Sequence, residues 1–180
     1  MNQARKGFSI ALVLCVLGFG PTIRQAWAAA IEHEEDDEAG FSGYIWGAAP
    51  SDCPSLTRIR ELGSTDYAHK AEVYTNPDEG LTLNGASLSA INYRFVDDQL
   101  ESVEVKYEGR ENRESLLRWV EERYGRLAGY ERRIVTHVEW VGERTGITLT
   151  YDPRTKHGTL WFFSLPLHHL YYDFFPGSRV

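Results

Sequence analysis

The chain has 180 residues, with 26 acidic and 19 basic side chains, a net charge of −7, and two cysteines. That acidity excludes nucleic acid and anionic membrane surfaces as electrostatic targets. The length provides a single domain that can bury a core without disulfide or metal staples.

Residues 1–28 read as a cleaved secretory signal peptide. Arg5 and Lys6 precede an apolar run from Phe8 to Phe19, Gly20-Pro21 breaks it, and Ala26-Trp27-Ala28 offers a small-residue cleavage site. The run is shorter than the roughly 20 residues a membrane-spanning helix needs, so no transmembrane segment is expected after cleavage. Cys15 lies inside this run behind Leu14, which suits an apolar position better than a lipid anchor. Losing Arg5, Lys6 and Arg24 with the leader takes the net charge from −7 to −10. The address expected is therefore periplasmic or secreted.

Residues 29–40 contain the run Glu34-Glu35-Asp36-Asp37-Glu38, self-repelling and with little to bury, and read as a disordered linker. A single domain follows over residues 41–175, with 176–180 as a flexible tail. Cys53 would be the only cysteine left after processing, which excludes an intrachain disulfide and suits a small, partly buried residue beside Pro54. Leu56–Leu62 and Ala71–Thr75 read as strands, and Asn76-Pro77-Asp78-Glu79-Gly80 as a turn. Ile91, Tyr93 and Phe95, then Val103, Val105 and Tyr107, alternate with polar residues on either side of Asp97-Asp98. This predicts an antiparallel hairpin with one apolar face.

One helix is predicted over Asn112–Tyr124, capped by Asn112 and closed by Gly125, with Leu116, Leu117, Val120 and Tyr124 on one side. Three meander strands follow at Arg132–Val141, Gly146–Tyr151 and Thr159–Leu165; Ile134, Val138 and Trp140 are assigned to the core face of the first. Leu160-Trp161-Phe162-Phe163 is apolar on both sides and is expected in the middle of the sheet. The fold class expected is α+β: a curved antiparallel sheet of about six to eight strands with one helix across one face.

Phe41-x-Gly43-x-x-Trp46-Gly47, Tyr93-x-Phe95 with Leu100, Tyr124-Gly125, Trp140-x-Gly142 and Gly158-x-Leu160 together resemble a family of small, uncharacterised exported bacterial domains. The resemblance covers nearly all of the chain beyond the leader and implies a compact envelope module with no known activity. In arrangement only, the helix and sheet are also similar to small outer-membrane assembly lipoproteins and secreted β-lactamase-inhibitor domains, which act by binding proteins.

Few residues invite chemistry. His137 and Glu139, two apart on a strand, share the outer face with Thr148 and Thr150, a set that suits a polar sheet face or, with further ligands, a metal. His168 and His169 point apart, whereas His169 and Asp173 suit joint ligation if the tail is helical. Hydrolase, redox, phosphate-loop and metalloprotease motifs do not occur, so neither enzyme activity nor a cofactor is expected. Leu170, Tyr171, Tyr172, Phe174 and Phe175 crowd the C-terminal segment and form either core or a partner surface. The function expected is a non-catalytic binding or assembly domain of the bacterial envelope, with another envelope protein as partner. The alternatives are an apolar ligand between helix and sheet near Tyr124, Trp161 and Phe163, and a metal at His137/Glu139 or His169/Asp173.

Overall fold

The computed structural model describes residues 28–30, 40–64 and 69–172. Their elements are β1 Ala28–Ala30, β2 Gly40–Phe41, β3 Tyr44–Ile45, β4 Thr57–Ser64, β5 Lys70–Thr75, β6 Thr82–Leu83, β7 Ala86–Val96, β8 Gln99–Glu108, α1 Arg110–Tyr124, β9 His137–Val141, β10 Thr145–Tyr151, β11 His157–Ser164 and α2 Leu165–Tyr172. One sheet runs in the order β1-β9-β10-β11-β8-β7-β5-β4, with β6 joined to β7. Every pairing in it is antiparallel except β1 on β9. The fold is α+β and mostly sheet.

The central hairpin β7–β8 follows from strict alternation. Ile91, Tyr93 and Phe95 face Val103, Val105 and Tyr107 on one buried side, and Asp97 and Asp98 take positive φ of 47° and 60° in the turn. Two positive φ values in a two-residue loop match the right-handed twist of the strands, and aspartate tolerates them better than most residues. Leu116, Leu117, Val120 and Tyr124 of α1 close over this face, joined by Val138, Trp140, Ile147, Leu149, Leu160 and Phe162. The β2–β3 hairpin packs beside the helix, with Phe41 4.9 Å from Phe162 and Tyr44 5.0 Å from Tyr93 between ring centres. Trp46 pins it by donating Nε1–H to Thr145 Oγ1 at 3.0 Å.

Four expectations change. The helix starts at Arg110, two residues before Asn112, after Gly109 turns the chain at φ 85°. Asn112 lies inside the helix and ties it to the sheet: its Nδ2 donates to Glu108 O and its Oδ1 accepts from Ser87 N.

The strand expected over Arg132–Val141 forms only at His137–Val141, and Ile134 is exposed. The reason is that this backbone is used elsewhere. The carbonyls of Ile134 and Val135 accept from the buried guanidinium of Arg113, and Glu131 accepts from Ala128 N, so Glu131–Arg133 closes as a short 3-10 turn.

A second helix, α2, occupies the segment that had no clear period. Ser164 Oγ accepts from Leu167 N, and Pro166 sits in the first turn, where its missing N–H costs nothing.

Ala28–Ala30, expected at the end of the leader and the start of the linker, pair in parallel with Glu139–Val141 as an edge strand. Edge pairing is made by backbone groups and needs no side-chain pattern. Residues 1–27, including Cys15, and residues 31–39 lie outside the described residues, as does 173–180 with Asp173, Phe174 and Phe175.

Candidate functional site

The face of the sheet turned away from α1 carries the site. Because side chains alternate along strands, register places residues of neighbouring strands in rows across this face. One row contains Asn92, Glu104, Trp161, Thr148 and Glu139, paired in that order across β7, β8, β11, β10 and β9. The next contains Arg60, Val73, Arg94, Ser102, Phe163 and Gly146, from β4 to β10.

These rows form the floor of a groove of about 360 Å³, lined by Arg60, Val73, Asn92, Arg94, Glu104 and Trp161 among others. The lining comes from six successive strands. Laid flat, they would spread over about 24 Å, so one groove of this size requires the sheet to curl. Register shifts in β4 and between β7 and β8 supply the bend.

Polar contacts hold the floor in place. Asn92 Nδ2 donates to Glu104 Oε2 at 3.1 Å, and Lys106 Nζ reaches the same oxygen at 3.1 Å. Thr150 Oγ1 donates to Thr159 O. Trp161 stacks on Phe163 at 4.4 Å between ring centres, and Phe163 lies over Gly146, where a Cβ would come within 2.3 Å of the ring. Glycine is what lets that ring lie flat.

At one end of the groove face α2 crosses the sheet. Tyr171 is 5% exposed and packs with Ala71, Val96 and Leu167 in a small second core. Its hydroxyl donates to Gln99 Oε1 at 2.7 Å. Burial, followed by the nearby carboxylates of Asp97 and Glu101, raises its pKa.

His168 Nδ1 lies 3.0 Å from Glu101 Oε1, and its ring packs against Trp161 and Phe163. Glu101 is the extra residue of the register shift between Arg94/Ser102 and Phe95/Leu100, which explains how a carboxyl group comes to be wholly buried here.

His137, Glu139, Thr148 and Thr150 do form one cluster. His137 is paired with Thr150 and Glu139 with Thr148, and His137 Nε2 lies 2.5 Å from Glu139 Oε1. A more open cleft of about 560 Å³ adjoins them, lined by Tyr130, Glu131 and Ile134. Among the described residues, no three His, Cys, Asp or Glu side chains come together to hold a metal.

The aromatic tail does not present itself as one surface. Tyr171 is core and Leu170 is 57% exposed, while Phe174 and Phe175 lie outside the described residues, as does the side chain of Tyr172. Tyr124, Trp161 and Phe163 do not line a common pocket. Tyr124 packs on Phe162 beneath α1, whereas Trp161 and Phe163 occupy the opposite face. Cys53 is buried and free, and burial, then Asp52, raises its thiol pKa.

Sequence reasoning missed Arg60, Asn92, Arg94, Ser102 and Glu104 as site residues. Their alternation marks an outer polar face, but only curvature turns such a face into a groove. One signal was available: Trp161 is a large aromatic on the face that otherwise carries Asn92, Glu104 and Thr148. No protein-family model, curated protein or solved structure matches the chain.

Proposed function

We propose that this protein is an exported, non-catalytic binding domain of the bacterial cell envelope, and that it holds its ligand in the groove on the outer sheet face. The observation that carries the reading is the groove itself. Its volume falls within the roughly 300–1,000 Å³ typical of ligand sites, and it combines hydrogen-bonding side chains with one aromatic wall. Most outer sheet faces simply shed water. This one is curled, and Trp161 is held in it by Phe163 and His168.

The leader-like N-terminus supports export. The lining favours holding over turnover, since it offers amide, hydroxyl and guanidinium groups in rows and its carboxylate, Glu104, is already engaged by Asn92 and Lys106. The surface proposed is thus the groove in place of the aromatic tail, because α2 spends Tyr171 on packing.

Envelope extract passed over the immobilised chain, with the triple variant Arg60→Gln, Asn92→Ala, Thr148→Val as control, tests this. A component identified by mass spectrometry that the parent retains and the equally stable variant releases supports the groove. Equal retention by both rules it out.

A further inference from the structure

We infer that the ligand of this groove is an acidic sugar: a ring bearing hydroxyls and one carboxylate or phosphate. The inference rests on the groove reading above and narrows it to a chemical class.

Charge is the first reason. The whole chain carries −7, yet the groove lining contains Arg60 and Arg94 against a single acid, Glu104. Glu104 is moreover compensated by Lys106 at 3.1 Å. A locally positive concavity on an acidic protein concentrates anions where the rest of the surface repels them.

Position is the second. Arg60 and Arg94 stand in one cross-strand row, separated only by Val73. Two strand spacings put their backbones about 10 Å apart, within reach of two long side chains converging over a short one. Guanidinium forks suit the planar oxygens of a carboxylate and the oxygens of a phosphate.

The remaining lining addresses the rest of such a ligand. Thr148, Thr150, Thr159, Ser102 and Asn92 supply donors and acceptors at the spacing of neighbouring strands. Trp161 supplies an aromatic surface for the apolar side of a sugar ring, its orientation fixed by Phe163. A bare inorganic anion would leave this hydroxyl floor and the indole unused. A neutral sugar would leave two cations unanswered.

Titration calorimetry on the purified chain tests the class with four probes: digalacturonate, glucose 6-phosphate, neutral cellobiose and inorganic phosphate. The expected result is binding of one or both acidic sugars at least roughly tenfold tighter than cellobiose or phosphate, weakened by salt. Arg60→Gln, at an exposed position, is expected to remove that preference, and Thr148→Val to weaken acidic sugars by a smaller factor.

Cellobiose binding as well as the acidic sugars, with Arg60→Gln silent and Thr148→Val weakening both, overturns the ligand class and leaves the groove standing. Phosphate binding as tightly as glucose 6-phosphate reduces the site to an anion hole and also overturns the inference. Binding unchanged in both variants defeats the groove reading together with it. Absence of binding by every probe at millimolar concentration likewise overturns the inference.

Discussion

Glu101 and His168 join the two ends of the domain: an imidazole on α2, 26% exposed, meets a carboxyl group with no exposure at all on the bulge of β8, at 3.0 Å. The other oxygen, Oε2, is buried with no hydrogen-bond partner among the described residues. His168 is thus the histidine that anchors α2 to the sheet.

His168→Ala is expected to destabilise the protein strongly, since it strips the described partner from a buried acid. Breaking a buried pair costs roughly 3–5 kcal/mol, and the partial exposure of His168 places this case at the lower end. Urea unfolding of His168→Ala and of the double variant Glu101→Leu, His168→Leu is the check. The double variant should recover much of the loss, and a single variant as stable as the parent would show that α2 is held by its apolar contacts alone.

Acid sensitivity is expected from Glu72. Burial opposes its ionisation, but hydrogen bonds from Arg58 at 2.6 Å and from Lys70 outweigh that and hold its pKa below the ordinary 4.5. A carboxylate whose folded pKa is depressed stabilises the fold above its unfolded pKa, and that contribution fades as pH falls through the folded value. The loss should therefore begin near pH 4.5 and continue below it. Asp97 adds to the same trend: burial opposes its ionisation, yet His69 and the Lys70 amide lower its pKa. Melting curves recorded at descending pH should show a shallower decline for Glu72→Gln than for the parent, and parallel declines would remove Glu72 from the account.

Two neighbours in α2 should behave oppositely. Tyr171→Ala empties a buried aromatic position against Ala71 and Val96, and a loss of roughly 3–5 kcal/mol is the usual scale. Leu170→Ala, at a site 57% exposed, should stay within about 0.5 kcal/mol. Chemical denaturation of the two variants side by side decides between a packed and a displayed tail, and similar values for both would contradict the packing.

Gly146→Ala should disturb the groove from beneath, because the added Cβ would sit 2.3 Å from the Phe163 ring that supports Trp161. Overpacking of this kind costs roughly 1–3 kcal/mol. A double-mutant cycle with Phe163→Leu reads the coupling, and purely additive effects would mean that the two residues do not press on each other.

Cys53 should resist thiol reagents in the folded protein. It is 2% exposed, and burial raises its thiol pKa, so little thiolate is available. Labelling should appear only with denaturant, and rapid labelling of native protein at neutral pH would disprove the burial.

Amino-acid pattern alone settles the sheet-rich α+β class, the β7–β8 hairpin with its aspartate turn, the apolar side of α1, and the grouping of His137 and Glu139 with Thr148 and Thr150. Each of these depends on periodicity or on turn chemistry within a few residues, which a chain displays locally. Even the residues of the family-like pattern turn out to shape the fold: Trp140 Nε1 donates to Gly125 O at 2.9 Å, and Trp46 to Thr145. Tertiary structure decided the rest. Whether Ile134 extends a strand depended on Arg113, some 20 residues away, taking the backbone carbonyls of 134 and 135. Whether the aromatic tail was core depended on Ala71 and Val96 leaving room for Tyr171. The groove depended on curvature, since Arg60 of β4 and Thr148 of β10 meet around one cavity only because bulges bend the strands between them. Local sequence states which face a residue takes; how far the sheet curls is a sum over many strands, and no single segment carries it.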